Sequence, residues 1–262
     1  MTTVRKPAVA GLFYPDDPRT LKADLGRFLS EVTPSAAPAP KAIIVPHAGY
    51  IYSGPIAASA YARLESARAR IHRVVLLGPA HRVGFRGLAR PSAEYFETPL
   101  GRVPIDAAAM AQIADLPQVV ARDDAHAEEH SLEVHLPFLQ TLLDDFTLVP
   151  LVVGEATAAE VGEVLERLWG GSETLIVISS DLSHYHSYAI AQQLDRATSE
   201  AIEQLRYEDL DYESACGRNP VSGLLHVARR RGLTARTIDL RNSGDTAGPR
   251  NQVVGYGAYL IE

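Results

Sequence analysis

The chain has 262 residues, 46% of them hydrophobic and 22% charged, and its 25 Lys and Arg against 32 Asp and Glu give a formal net charge of −7. The length allows a sizeable buried core, whereas the acidic balance argues against sequence-independent binding of nucleic acid, which needs a basic surface. The single Cys excludes an internal disulfide and is typical of a reducing compartment. The sequence shows no apolar stretch suited to a signal peptide or to a membrane span of roughly 20 residues, so we expect a cytoplasmic protein without a membrane partner.

The predicted elements alternate between short apolar runs and helical patterns. In chain order they are a helix at 21–32, a strand at 42–46, a helix at 55–64, strands at 74–77 and 148–153, a helix at 156–169, a strand at 175–178, helices at 189–205 and 220–231, and a strand at 252–261. Most of the apolar runs do not alternate with polar residues, which is typical of strands buried on both faces of a parallel sheet. We therefore predict a single domain over residues 1–262 with an α/β fold, in which helices flank a central, mainly parallel sheet.

Local signals predict several boundaries within this domain. Ser53 is expected to cap the helix at 55–64, with Pro55 in its first turn, and Asn219 is expected to cap the helix at 220–231. Gly232 directly after that helix is typical of a helix end. The last strand is expected to pair antiparallel at an edge of the sheet, and the Pro- and Ala-rich segment 33–41 is predicted to be a surface linker.

Polar side chains follow three of the predicted strands. His47 and His81 each come directly after one strand, and the pair Asp181 and His184 comes after another. Ligands in open α/β sheets bind outside the carboxyl ends of the strands, so we expect these side chains to converge. Neutral imidazole is the commonest metal ligand in proteins and suits iron, copper and zinc. For any one of these residues, the alternative is a helix-capping or loop role.

A site with two imidazole ligands needs at least one anionic ligand besides. Four residues are candidates for that position: Asp181, Glu129, Glu133 and Cys216. Cys216 comes just before a predicted helix, and the positive helix end together with Arg218 would lower the pKa of its thiol. The alternative for Cys216 is a small buried side chain that behaves as a hydrophobe.

The segment around residues 128–138 carries two further His. Five residues turn a helix by about 140° net, so His130 and His135 would not share a helix face, unlike the two zinc ligands of a metalloprotease. We expect both to support the ligands or contact the substrate, with a purely structural role as the alternative. We expect structural roles for His72 and His226 and a position in a solvated loop for His126. The role of His186 is left open.

Six motifs extend over most of the chain, from about residue 5 to the end. They are AGLFYP at 10–15, PHAGYIYSG at 46–54, LGPAH at 77–81, EHSLEVHLP at 129–137, SSDLSHY at 179–185 and CGRNP at 216–220. In this order they resemble the motifs of the Memo family, which is also called component B of the AmmeMemoRadiSam system.

The resemblance implies a fold similar to that of the class III extradiol dioxygenases, which hold non-haem iron with two His and one carboxylate. It also implies that His47, His81 and Cys216 are the metal ligands, with Asp181 and His184 beside them for acid–base work. The resemblance makes iron the first expectation. A thiolate in place of the carboxylate is a softer ligand, so copper is a credible competitor, and zinc is a weaker candidate. Ring cleavage does not follow from the fold.

The resemblance leaves two functional hypotheses open. The first is a mononuclear metal redox enzyme with an unknown small-molecule substrate, acting beside an AMMECR-type protein and a radical SAM protein. The second is a non-catalytic protein that uses the same pocket to bind a phosphotyrosine peptide or another ligand. A phosphate would need donors such as Arg82, Arg86 and Arg218.

Overall fold

Short apolar runs form the centre of a mixed β-sheet in the computed structural model, which describes residues 2–262. The strands are β1 Val4–Arg5, β2 Ala42–Val45, β3 Arg73–Pro79, β4 Leu88–Arg90, β5 Tyr95–Thr98, β6 Gly101–Pro104, β7 Val119–Ala121, β8 Thr147–Val153, β9 Thr174–Ser179, β10 His184–His186, β11 Ala235–Asn242 and β12 Val253–Ile261. The helices are α1 Pro18–Ser30, α2 Tyr50–Tyr61, α3 Ala107–Ile113, α4 Asp123–Ala127, α5 Leu136–Leu142, α6 Ala158–Leu168, α7 Tyr188–Glu203 and α8 Arg218–Arg231.

The main sheet has a parallel centre and antiparallel flanks. Its strand order is β10–β12–β2–β9–β3–β8–β4–β7, and β11 also pairs with β12. The central strands β2, β9, β3 and β8 are mutually parallel, whereas β12 and β4 join them antiparallel. A small separate sheet has the order β1–β5–β6. The predicted α/β fold with a parallel central sheet is thus confirmed, and the outer strands make the sheet as a whole a mixed one.

Helices cover both faces of the sheet, which explains the continuous apolar runs. Along β2, Ile43 and Val45 pack into a core with α1, α2 and α5, whereas Ala42 and Ile44 pack into a second core with α3, α6 and α8. Alternate residues of a strand point to opposite faces, so a strand with two buried faces needs apolar residues at every position. The chain therefore forms one α/β domain around two apolar layers.

The last strand differs in position from its prediction. β12 is antiparallel as expected, but it lies inside the sheet rather than at its edge. One side of it pairs with β2, where Tyr259 lies opposite Ile44, and the other side pairs with β11, where Gly257 lies opposite Leu240. Charged residues interrupt the apolar pattern of β11, so the sequence pattern does not predict this strand.

Two of the predicted helix caps are wrong. Helix α2 already begins at Tyr50, and the hydroxyl of Ser53 donates to the carbonyl of Ala48 at 2.9 Å instead of capping. Helix α8 begins at Arg218, so Asn219 lies in its first turn and donates from Nδ2 to the carbonyl of Gly154 at 2.8 Å. The predicted end of α8 at Gly232 is confirmed, because Gly232 has a left-handed φ of 68°. None of the helices in residues 2–262 has the length and apolarity to cross a membrane.

The segment 33–41 connects α1 to β2. Its residues 33–38 are exposed, and at its end Lys41 donates from Nζ to the carbonyls of Trp169, Gly171 and Thr174, at 2.5, 2.8 and 2.7 Å. These bonds fix the entry into β2 at the amino ends of the central strands. That edge is opposite to the one at which the predicted site residues follow the strands.

Candidate metal centre

The carboxyl ends of three neighbouring central strands bring the site together. His47 follows β2, His81 follows β3, and β9 lies between these two strands in the sheet. Cys216 approaches the same edge from the loop that precedes α8. One ligand atom from each of His47, His81 and Cys216 lies within 4.8 Å of the others. The structure thus brings together the three residues that the resemblance implied as metal ligands.

His47 is buried, and its backbone N–H and both ring nitrogens have polar neighbours. Its backbone N–H donates to Oδ1 of Asp181 at 2.7 Å. Its ring Nδ1 lies 2.6 Å from Oγ of Ser179, and its Nε2 lies 3.4 Å from Sγ of Cys216. Burial, followed by the neighbouring imidazoles, lowers the pKa of His47 well below its usual value. The ring is therefore neutral at physiological pH, as a metal ligand must be.

His81 lies at the mouth of the site and is held by the buried carboxylate of Glu129. Oε2 of Glu129 accepts from the backbone N–H of His81 at 2.6 Å, and Oε1 lies 2.9 Å from Nδ1 of the ring. Burial raises the pKa of Glu129, but the bonds with His81 lower it more, to about 2. Because an ionised carboxylate only accepts, Nδ1 of His81 donates to Glu129, and Nε2 is the ring nitrogen left for a metal. Glu129 therefore orients His81.

Glu133, the other glutamate considered as an anionic ligand, faces away from this cluster. Its carboxylate accepts from the Arg5 guanidinium and from the Tyr14 hydroxyl. It also accepts the backbone N–H groups of Ala8 and Val9, at 2.7 and 3.0 Å. Glu133 thus anchors the N-terminal segment, and these partners occupy both of its oxygens.

Cys216 reaches the site because its loop lies close against the end of β9. The backbone N–H of the next residue, Gly217, donates to Oγ of Ser180 at 3.0 Å. Burial, and then the charge of Asp181, raises the pKa of the Cys216 thiol well above its usual range. The expectation of a lowered pKa is therefore wrong for the chain without metal. The guanidinium of Arg218 lies over the ring of Tyr212, with its carbon 3.6 Å from the ring centre.

His130 and the pair Asp181 and His184 also lie at this edge. The ring of His130 stacks on that of His81, with ring centres 4.6 Å apart, and meets the ring of His47 edge-on at 5.4 Å. Asp181 is buried, and its Oδ2 lies 3.9 Å from Nε2 of His47. Burial raises the pKa of Asp181, and the nearby His184 opposes that rise. His184 itself is half-buried at the start of β10.

His135 lies behind His47 instead of beside the ligand atoms. It is fully buried, and its Nε2 lies 2.8 Å from Oγ of Ser179. Its Nδ1 lies 3.0 Å from the hydroxyl of Tyr61. Both ring nitrogens are thus engaged inside the protein. Sequence reasoning missed Ser179 and Tyr61, since a Ser at a strand end and a Tyr in an apolar helix are ordinary core residues.

The remaining histidines lie outside the cluster. His126 is buried within α4, and its Nε2 lies 2.9 Å from the carbonyl oxygen of Ala89, so its prediction as a solvated loop residue is wrong. Its acidic neighbours in sequence lie on the exposed side of this short helix. His72 is exposed just before β3. Nδ1 of His226 lies 3.2 Å from the Tyr207 hydroxyl, and Nε2 of His186 lies 3.9 Å from Oε2 of Glu213.

Two of the three arginines considered for phosphate binding have acidic surroundings. Arg86 pairs with Glu160 at 3.7 Å. Arg86 and Arg218 line a surface cleft of about 410 Å³ that Glu155 and Glu160 also line. Arg82 is exposed beside His81. Carboxylates at the cleft would repel a phosphate, so this arrangement does not favour the phosphopeptide hypothesis.

Comparison with known proteins identifies the family to which the chain belongs. The model of the family described as "Memo-like protein" matches residues 5–260. A MEMO1 family protein of Aquifex aeolicus is 40% identical over 97% of both chains, and one of Saccharolobus solfataricus is 37% identical over 96% of this chain and 97% of the relative. The crystal structure of an uncharacterized protein from Escherichia coli K12 has the same fold, with a TM-score of 0.54 and 16% identity over 84% of this chain and 98% of that one. The chain belongs to the Memo-like family.

Proposed function

We propose that the chain is a metal-dependent oxidoreductase, dioxygenase-like in fold, whose single redox metal is held by His47, His81 and Cys216. The observation that carries the proposal is the convergence of these three donors within 4.8 Å at the carboxyl edge of the sheet. They come from three separate segments of the chain, so sequence proximity does not account for their meeting. Their chemistry, two imidazoles and one thiol, suits a first-row transition metal.

The surroundings of the three donors support a metal-binding role. Glu129 accepts from Nδ1 of His81, which leaves Nε2 for a metal, and burial keeps His47 neutral. Iron is our first choice of metal, copper is its competitor because the thiolate is soft, and zinc is the weakest candidate. When bound, such an ion would bind and activate dioxygen or a substrate with adjacent oxygen atoms.

The polar residues around the donors would handle protons and position the substrate. Burial, and then His81, lowers the pKa of His130 to about 4, so its ring is neutral at pH 7 and can accept a proton. His184 and Asp181 would do acid–base work beside the metal as a second pair. His135 would act through Ser179 on His47. We propose a small-molecule substrate within the AmmeMemoRadiSam system, beside AMMECR-type and radical SAM proteins, in the reducing cytoplasm.

Metal analysis after anaerobic purification tests this proposal. We expect roughly one ion of iron or copper per chain, and its loss in His47→Ala. The matched control is His72→Ala, which changes an exposed His at the opposite edge of the sheet. Full retention of metal in the triple variant His47→Ala, His81→Ala, Cys216→Ser would contradict the proposal. A loaded protein would then be screened with catechols and other oxygen-chelating compounds, and a phosphotyrosine peptide would test the binding hypothesis.

A further inference from the structure

We propose that Ser179 is a positioning residue that fixes the imidazole tautomer of His47, and that His135 and Tyr61 complete a buried hydrogen-bond chain behind it. These hydrogen bonds would keep the proton of His47 on Nδ1 and its lone pair on Nε2 in the metal-free protein. The consequence for metal binding rests on the proposed function. The tautomer itself is a property of the metal-free protein.

The Ser179 hydroxyl has three polar neighbours and is completely buried at the end of β9. Its Oγ lies 2.6 Å from the carbonyl oxygen of Ser131. The same atom lies 2.6 Å from Nδ1 of His47 and 2.8 Å from Nε2 of His135. All three distances are those of hydrogen bonds. The hydroxyl is therefore the junction between a predicted metal ligand and the interior of the protein.

The direction of each hydrogen bond follows from counting protons. A serine hydroxyl has one proton to donate and two lone pairs with which to accept. The carbonyl of Ser131 only accepts, so the hydroxyl proton goes to it. Both ring nitrogens at Ser179 must then donate to its two lone pairs. This places a proton on Nδ1 of His47 and another on Nε2 of His135.

The position of Tyr61 is compatible with this assignment. A neutral His135 with its proton on Nε2 has an acceptor at Nδ1, and the Tyr61 hydroxyl lies 3.0 Å from that atom and can donate to it. The opposite tautomer of His47 would set a ring lone pair against a hydroxyl lone pair in a buried place. A buried polar group without a partner costs about 1–3 kcal/mol, enough to fix one tautomer.

The consequence lies on the other side of the His47 ring. With the proton on Nδ1, Nε2 has the lone pair, and this atom lies 3.4 Å from Sγ of Cys216, inside the candidate site. Glu129 accepts from Nδ1 of His81 by a carboxylate. A neutral hydroxyl thus orients the fully buried His47, and a charged carboxylate orients His81.

Nitrogen NMR of the metal-free full chain tests the inference directly. Long-range ¹H–¹⁵N spectra of the labelled protein report which ring nitrogen of each His carries a proton, and His47→Gln identifies the His47 signals. We expect Nδ1–H in His47 and Nε2–H in His135. We expect Ser179→Ala to shift His47 towards the Nε2–H form or a mixture, and Ser179→Thr, which keeps a hydroxyl, to preserve Nδ1–H. Ser30→Ala, at an exposed serine of α1, should change neither ring.

A protonated Nε2 on His47 in the unchanged chain would overturn the inference, even if Ser179→Ala fails to fold. Retention of pure Nδ1–H in a folded Ser179→Ala variant would overturn it as well. Titration with Co²⁺ adds a functional readout, for which we expect Ser179→Ala to bind roughly 10- to 100-fold more weakly and Ser179→Thr to recover most of the affinity. Because the spectra need no metal, failure of the chain to bind any ion would contradict the proposed function and leave the tautomer test intact.

Discussion

A Cβ atom added to Gly217 would lie 2.5 Å from the carbonyl oxygen of Ser179, at the point where the Cys216 loop touches the end of β9. Real Cβ atoms do not come that close to backbone oxygen, so only glycine lets this loop lie against the strand. We expect this contact to set how far Cys216 reaches towards His47.

Replacing this glycine should therefore damage the site and the fold together. We expect Gly217→Ala to lower the free energy of unfolding by about 1–3 kcal/mol, as overpacking commonly does, and to reduce bound metal because Cys216 is displaced. Thermal unfolding and metal analysis measure the two effects. The control is Gly26→Ala in α1, where a new Cβ meets nothing within 4 Å and should stabilise the helix by up to about 1 kcal/mol. Unchanged metal content in Gly217→Ala would show that the close contact does not position the thiol.

The support of His81 by Glu129 gives a second prediction. Glu129→Gln removes the negative charge and one of the two acceptor oxygens, so the ring and the backbone of His81 compete for the one that remains. We expect metal affinity to fall roughly 10- to 100-fold, as is usual when such supporting groups are changed. The neighbouring exposed Glu128→Gln should leave it unchanged. Competition with a chelator measures both affinities, and equal affinities for the two variants would contradict this role of Glu129.

The sequence predicts where His47 and His81 lie better than it predicts their hydrogen-bond partners. Both follow apolar runs that are typical of buried strands, so their meeting at one edge is expected from the parallel arrangement. The bond between His47 and Ser179 joins residues 132 positions apart, and that between His81 and Glu129 spans 48. Nothing in the local pattern links such pairs, because packing alone decides which polar groups meet. The same holds for His126, which packing buries in spite of its acidic neighbours.

The protonated thiol of Cys216 gives a prediction about proton release. Burial and Asp181 keep the thiol protonated in the metal-free chain, while burial and its neighbours keep His47 neutral. A thiol must lose its proton to become a ligand. At pH 7 we therefore expect the chain to release roughly one proton for each ion that it binds.

Calorimetry in buffers of different ionisation enthalpy measures this number. Cys216→Ser should bind more weakly and release little or no proton. Release of no proton by the unchanged chain would mean either that the thiol is already ionised or that it is not a ligand. The metal affinity of Cys216→Ser separates these outcomes, because loss of the thiol weakens metal binding only if the thiol is a ligand.

His126 gives a prediction about acid stability that is independent of the metal site. Burial lowers its pKa from 6.5 to about 4 in the folded chain. Below pH 6.5 the unfolded chain gains a proton at His126 that the folded chain does not take up until about pH 4. The free energy of unfolding therefore falls as the pH is lowered through this window, by up to about 3 kcal/mol from this residue at 1.36 kcal/mol per unit.

Replacing His126 by a neutral donor should reduce this acid sensitivity. In His126→Gln the side-chain amide can still donate to the carbonyl of Ala89, the bond that Nε2 of His126 makes. We expect the variant to lose less stability than the unchanged chain between pH 6.5 and 4, since His135 and His130 still contribute to the slope with pKa values of about 3 and 4. Urea unfolding at a series of pH values, with a chelator present, measures the slope. His72→Gln, at an exposed position, should leave it unchanged, and an equal slope in His126→Gln would show that His126 is not kept neutral by the fold.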